Sequence, residues 1–291
     1  MTTNRGYLAG LDKRLTPARP DLAAAYLRGV VAAPRYVEGE ARRVVVDATP
    51  LRGEPNPENG YDTQALYGET VQVYEFDEEG WAFVQLERDR YVGYMSANAL
   101  APIDVQFTHR VRTPRTIMYP ARSIKTSPMQ VLPMLAQVSV LETDGSFARI
   151  EDGGYVWADH LAPLDDVEPD FVAVAERFEL APYLWGGKTW DGVDCSGLVQ
   201  IALQAAGIEA PRDTDMQAAC LGAAIDPGAD FEALQRGDLV FWKGHVGIMC
   251  DAQTLLHANG YHMQVACEPF AQARARIAKN TFGEVTCVRR L

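Results

Sequence analysis

Three textures of hydrophobic and polar positions follow one another along the chain. Up to about residue 34, a polar, proline-marked lead (15–20) gives way to Leu22, Ala25, Tyr26 and Val30 on one helical face, with Asp21 placed to cap or open the helix. This predicts an N-terminal arm (1–42) with a short helix, packed along the body of the protein. From 43 to 163 the pattern changes to short alternating runs broken by Gly, Pro, Asn and Asp. Val71, Val73 and Tyr74, then Trp81, Phe83, Val84 and Leu86, then residues 91–95 read as strands of a small all-β unit. An acidic linker (164–168) ends in Pro169, and Phe171, Val172, Val174, Ala175 and Phe178 predict an amphipathic helix. Leu198, Val199, Ile201, Ala202, Ala205 and Ala206 give a second helix that stops at Gly207. Another helix starts within 211–217, and strands follow at 234–242, 245–249, 255–258, 265–267 and 285–288. Helices followed by antiparallel-type strands make this part α+β, not alternating βαβ.

An internal repeat organises the β-rich stretch. Residues 93–102 read GYMSANALAP and residues 154–163 read GYVWADHLAP, matching at Gly, Tyr, Ala, Leu, Ala and Pro. Upstream, Thr49-Pro50 is echoed by Thr113-Pro114, and Glu79-Gly80 by Asp144-Gly145. Two copies of one β-barrel module, 43–104 and 105–165, ahead of an α+β domain at 166–291, account for the whole.

Composition narrows the function classes. The 291 residues carry a formal charge of -12, which argues against nucleic acid or an anionic membrane surface as the main partner. Five cysteines without a CxxC spacing form neither a zinc signature nor a disulfide framework. The N-terminus lacks a continuous apolar core segment and no stretch is long enough to span a bilayer, so the expectation is a cytoplasmic protein.

Candidate chemistry gathers at residues 182–200, PYLWGGKTWDGVDCSGLVQ. Asp194 is a good N-cap, which puts Cys195 and Ser196 in the first helical positions. There, unpaired backbone N–H groups and the positive end of the helix dipole favour a thiolate, the nucleophilic form. A nucleophile needs a base, and the base an orienting group. His245, between glycines in GHVGIM, and His257, in LLHAN on the next strand, supply two imidazoles that adjacent antiparallel strands bring together. His109, His160 and His262 read as structural side chains.

Taken together, DCSGL, RGDLVFW followed by GHVGI, and LLHA resemble the NlpC/P60 family of papain-like cysteine peptidases, and the repeated β modules resemble bacterial SH3 domains. The resemblance implies that Cys195 is the nucleophile, His245 the general base and acid, and His257 the orienting third member. It implies that Tyr183 stands beside the nucleophile, that Trp185 walls the site, and that Ser196 and Thr214 touch substrate. No metal or organic cofactor is implied. The layout is similar to that of murein-recycling γ-D-glutamyl-L-diamino acid endopeptidases. That similarity implies a small murein peptide such as L-Ala-γ-D-Glu-diamino acid as substrate, with no nucleic acid or membrane partner. It also places Asp194 at the substrate ammonium, and Tyr91, with Tyr94 or Tyr61 as alternates, at the closed end of the groove. Three rival readings remain open: an exported hydrolase acting on intact wall, a non-catalytic wall-peptide-binding protein, and a different thiol chemistry such as acyl transfer.

Overall fold

In the computed structural model, which describes residues 10–291, the alternating runs around Val71 and Val84 close a small β unit. Five antiparallel strands pair in the order Leu100–Pro102, Glu40–Val44, Thr70–Phe76, Trp81–Leu86 and Val92–Ser96. Ala48–Leu51 pairs with Thr63–Leu66, and Arg52 bridges to Tyr94. Val44, Leu51, Val71, Val73, Val84, Leu86 and Met95 fill the core together with Tyr91. A register shift between Val73 and Glu75 marks a bulge, and Val73 and Tyr74 are both buried, in separate apolar clusters.

The arm departs from the helical expectation. Ala18–Arg19, Leu22–Ala24 and Arg35–Val37 form a three-stranded sheet, and the only helical turn among the described residues of this stretch is the 3-10 segment Ala25–Leu27. The reason is a second apolar cluster. Tyr74, Phe83 and Val92 pack against Leu22, Ala23, Ala24, Leu27 and Val31, so three consecutive arm residues are buried at once. A strand covered on both faces allows that, whereas a helix would spread the three around its circumference. Tyr26 and Val30, on the buried face of the helical reading, are instead 58% and 60% exposed. Asp21 caps nothing. It accepts hydrogen bonds from Arg19 and Arg35, and the Arg19 bond is the main reason its carboxyl is held down at about 2.

Both copies of the repeated sequence run strand, 3-10 turn, strand: Val92–Ser96, Ala97–Ala99 and Leu100–Pro102, then Tyr155–Trp157, Ala158–His160 and Leu161–Pro163. Between them lie the paired strands Arg115–Met118 and Gln130–Pro133, and the meander Val140–Asp144, Phe147–Ile150, Tyr155–Trp157. The chain divides into two compact units. One runs to His109 and resumes over Thr116–Asp159, and the other comprises Arg110–Arg115 and His160–Leu291. Within the first unit, Asp152 accepts hydrogen bonds from Arg43 (3.0 Å) and Tyr67.

The second unit is built on six antiparallel strands in the order Ala223–Ile225, Cys287–Arg290, Leu239–Trp242, His245–Met249, Thr254–Asn259 and Gln264–Pro269. The helix Cys195–Ala205 is buried at every position and packs on the strands His245–Met249 and Thr254–Asn259. The acidic linker is anchored here: Glu168 is buried and pairs with Arg112 and Arg177. Several elements escaped the sequence reading, among them the paired strands Lys188–Thr189 and Gly192–Val193. The strand Ala223–Ile225 is short, and the helix Phe270–Asn280 buries only Phe270, Ala273 and Ile277 among alternating Ala, Arg and Lys. Among the described residues, no helix is long and apolar enough to cross a membrane.

Candidate active site

The nucleophile helix begins where its cap dictates. Asp194 has extended backbone angles (φ −98°, ψ 177°), its Oδ1 accepts the Gly197 N–H at 2.7 Å, and Cys195 is the first helical residue. The glycine-rich loop packs onto that first turn. A Cβ at Gly197 would lie 2.3 Å from the Gly187 carbonyl oxygen, and one at Gly187 would lie 2.3 Å from that of Gly192, so neither position tolerates a side chain without backbone movement.

Asp194 does more than cap. Its two oxygens also accept from both terminal nitrogens of Arg212 (2.9 and 2.7 Å), from the Gly186 N–H (2.8 Å) and from the Ser196 hydroxyl (3.3 Å). Arg212 is 1% exposed and also reaches Ser196 Oγ and the Gly187 carbonyl. The Asp194 carboxylate, expected at the substrate ammonium, is part of a charge-balanced knot with Arg212 at the start of the nucleophile helix, so an ammonium arriving there would share it with Arg212. Ser196, expected to touch substrate, is likewise buried and turned into this knot. Thr214 Oγ1 lies 4.0 Å from Cys195 Sγ, beside the thiol.

The two imidazoles meet as the strand order requires. His245 opens its strand opposite Trp242, and His257 sits on the neighbouring strand opposite Ala266. Their rings approach with His245 Nε2 2.8 Å from His257 Nδ1. Phe282 stacks on His245 at a centroid distance of 5.3 Å and an interplanar angle of 10°. Cys195, His245 and His257 line one pocket of about 430 Å³ with Tyr183, Trp185 and Phe282. Trp185, 67% exposed, stands at its rim, while Tyr183 is half-buried. Burial raises the Tyr183 hydroxyl pKa, and the nearby Cys195 and Asp194 add to the rise, so the group is a hydrogen-bond donor at neutral pH. Tyr91 belongs to the other unit, where it is 4% exposed within the barrel core.

The electrostatics differ from the thiolate expectation. Burial pushes the Cys195 thiol up to about 11, and the Asp194 carboxylate pushes in the same direction. The Val246 N–H, the Thr214 hydroxyl and Arg212 oppose this without overcoming it. Burial, then His257 and Arg276, take His245 down to about 3. The resting pocket thus holds a neutral thiol and a neutral imidazole, not an ion pair, because desolvation outweighs the Val246 N–H, Thr214 and Arg212. A neutral imidazole is the competent form for a general base.

Sequence reasoning missed Arg212, Glu268 and Arg276. Arg212 stands in PRDTD, which reads as a turn and helix start, and Glu268 and Arg276 bear on His257 only through a hairpin register and a weakly patterned helix.

Comparison with known proteins places this geometry. Residues 180–282 match the NlpC/P60 family, and residues 51–100 match the bacterial dipeptidyl-peptidase Sh3 domain. The chain is 30% identical over 215 residues to a γ-D-glutamyl-L-lysine dipeptidyl-peptidase of Bacillus cereus, an alignment covering 65% of this chain and 62% of that protein, just under two thirds of its length. It is 26% identical over 231 residues to the Bacillus subtilis protein of the same name, covering 69% of this chain and 73% of the relative. The solved structure of an NlpC/P60 family protein from Bacillus cereus shares the fold at a TM-score of 0.71 and 21% identity, covering 86% of this chain and 99% of its own. A buried cysteine at a capped helix start and an imidazole pair on the neighbouring strands lie within the matched stretch, so the chain carries an NlpC/P60 domain at residues 180–282, with a bacterial SH3 domain at 51–100 ahead of it.

Proposed function

We propose that the protein is a cysteine peptidase that hydrolyses the bond between γ-D-glutamate and an L-diamino acid in murein peptides bearing a free N-terminal L-Ala. The observation that carries this reading is the pocket in which the Cys195 thiol and the hydrogen-bonded His245–His257 pair stand together. Support for the bond comes from the relatives named γ-D-glutamyl-L-lysine dipeptidyl-peptidases. A dipeptidyl-peptidase removes two residues from a free amino terminus, which for this bond means L-Ala-D-Glu.

In the proposed reaction the Cys195 thiol passes its proton to His245 as Sγ attacks the γ-carbonyl carbon. Backbone N–H groups at the helix start and the Tyr183 hydroxyl face the oxygen that gains charge. His245 then protonates the departing α-amine of the diamino acid as the C–N bond breaks, leaving a thioester on Cys195. Water, deprotonated by His245, attacks the thioester and releases L-Ala-D-Glu with the thiol restored. Thr214 beside the sulfur and Trp185 at the rim bound the acyl group's path. Substrate contact by Asp194 and Ser196 proceeds through the edge of the Arg212 knot.

The cytoplasmic recycling of free murein peptides and a second, diverged SH3-like module at 105–165 belong to the same proposal. The repeated strand, 3-10 turn and strand supports the second module. Incubation with L-Ala-γ-D-Glu-L-Lys and its diaminopimelate counterpart, with products identified by mass spectrometry, tests the bond. Activity on intact sacculi exceeding that on free peptide, or cleavage at any other bond, would reject it.

A further inference from the structure

The hydrogen-bond chain does not stop at His257. His257 Nε2 lies 2.7 Å from Glu268 Oε1, and both oxygens of Glu268 accept from the two terminal nitrogens of Arg276. Four elements supply this line of side chains. His245 and His257 come from neighbouring strands, Glu268 from the next strand, and Arg276 from the helix Phe270–Asn280. Because His257 pairs with Ala266, residue 268 lies on the same sheet face two positions further on, which is where the His257 ring points. The side chains of Glu268 and Arg276 are 11% and 18% exposed, so this is not a solvated surface pair.

The bonding pattern has one consistent proton assignment. An ionised carboxylate only accepts, so the hydrogen of the His257–Glu268 bond sits on His257 Nε2. A neutral imidazole protonated there has a bare Nδ1. His245 Nε2, 2.8 Å away, must then donate to it, which leaves His245 Nδ1 bare. Without an acceptor at Glu268 the direction of the chain is no longer fixed, and the reverse arrangement puts a proton on His245 Nδ1. A base protonated on that nitrogen cannot take one from the thiol.

We propose that Glu268, held ionised by Arg276, is a positioning residue that sets the tautomer of both histidines and so gives His245 the bare Nδ1 that a general base needs. The kinetic consequence rests on the cysteine-peptidase reading; the tautomers are a property of the resting protein and do not depend on it. His262, whose Nδ1 is 3.8 Å from Glu268 Oε1, and Tyr261, whose ring lies 4.2 Å from the Arg276 guanidinium, complete the surroundings of the carboxylate.

The experiment is nitrogen-15 NMR of the imidazole rings in the substrate-free full chain, for wild type, Glu268→Leu and Glu268→Gln, with kcat and KM measured on the same samples. Expected is protonation of Nε2 on both His245 and His257 in wild type. Glu268→Leu shifts the pair toward Nδ1 protonation and lowers kcat by roughly 10²-fold with KM little changed. Glu268→Gln, whose side-chain carbonyl still accepts from His257, keeps the wild-type tautomers and recovers most of the loss. A proton on His245 Nδ1 in the wild-type protein overturns the proposal even if Glu268→Leu fails to fold. Unchanged tautomers in a folded Glu268→Leu overturn it as well. If wild type cleaves no murein peptide, the functional reading fails and the NMR still decides the tautomer.

Discussion

His245 Nε2 and His257 Nδ1 are 2.8 Å apart, so the ring nitrogen of His245 that remains for the thiol is Nδ1. In the proposed reaction one nitrogen of His245 is held by His257 and the other exchanges a proton with Cys195. Cys195→Ala should abolish turnover with the fold intact, and His245→Ala should come close to that. His257→Ala should cost less, ~10²–10⁴-fold in kcat, since it removes orientation and not the base itself. Circular dichroism and steady-state kinetics on the three variants check this, and undiminished turnover in Cys195→Ala contradicts it.

The buried thiol should react as a reluctant one at rest. With its pKa pushed up to about 11 by burial and by Asp194, Cys195 should be alkylated by iodoacetamide with a pH inflection above the ~8.5 of a free thiol. Peptide-resolved mass spectrometry across pH reads each site separately. An inflection for Cys195 below the ~8.5 of a free thiol would restore the thiolate–imidazolium picture.

The Asp194–Arg212 knot makes a prediction about stability as well as activity. Asp194→Asn removes the charge that balances a buried guanidinium, which commonly costs about 3–5 kcal/mol, so Tm should fall sharply along with kcat/KM. Replacing Arg212 by Leu together with Asp194→Asn should cost less than the sum of the two single changes, because each breaks the same contact. Comparing free with N-acetylated substrate then isolates any ammonium contact. If Asp194→Asn leaves Tm unchanged, the carboxylate is not the structural partner drawn here.

Acid should destabilise the C-terminal unit in a defined window. Burial lowers His245 from 6.5 to about 3, and burial lowers His257 as well, so the unfolded chain binds more protons than the native one below pH 6.5. Stability therefore falls as pH drops from 6.5 toward 3. Burial alone would raise Glu268, but the bonds from Arg276 and His257 outweigh it and hold the carboxyl at about 2, adding a further loss as pH falls below 4.5. Urea unfolding at several pH values should show this slope, flattened in His245→Gln. An unchanged slope in that variant would show that His245 is not buried in its neutral form.

Much of the site was legible because its signals are local. Asp194 before Cys195 is a cap before a helix, and His245 and His257 fall on strongly β-prone runs whose antiparallel pairing follows from their spacing. What stayed hidden depends on distant parts of the chain. Glu268 reaches His257 only because the turn at 260–263 sets Ala266 opposite it, and a slip of one residue would turn Glu268 to the other face. Arg276 rides on a helix whose three buried residues give little periodic signal. The thiol's pKa departs from the sequence expectation for a related reason: the helix start is visible in sequence, whereas the burial of Cys195 is not. The arm's strands were hidden differently, since Leu22, Ala23 and Ala24 are buried by Tyr74 and Phe83, which lie on strands far along the chain.

The central claim is that Cys195 cleaves the γ-D-glutamyl–diamino acid bond of free murein peptides. Mass spectrometry of the products from L-Ala-γ-D-Glu-diamino acid, with wild type and Cys195→Ala run in parallel, tests it most directly. The account predicts L-Ala-D-Glu and the free diamino acid from wild type, an acyl adduct on Cys195 when the reaction is quenched early in acid, and neither from Cys195→Ala. Intact substrate after prolonged incubation with wild type, or the same products from Cys195→Ala, would contradict it.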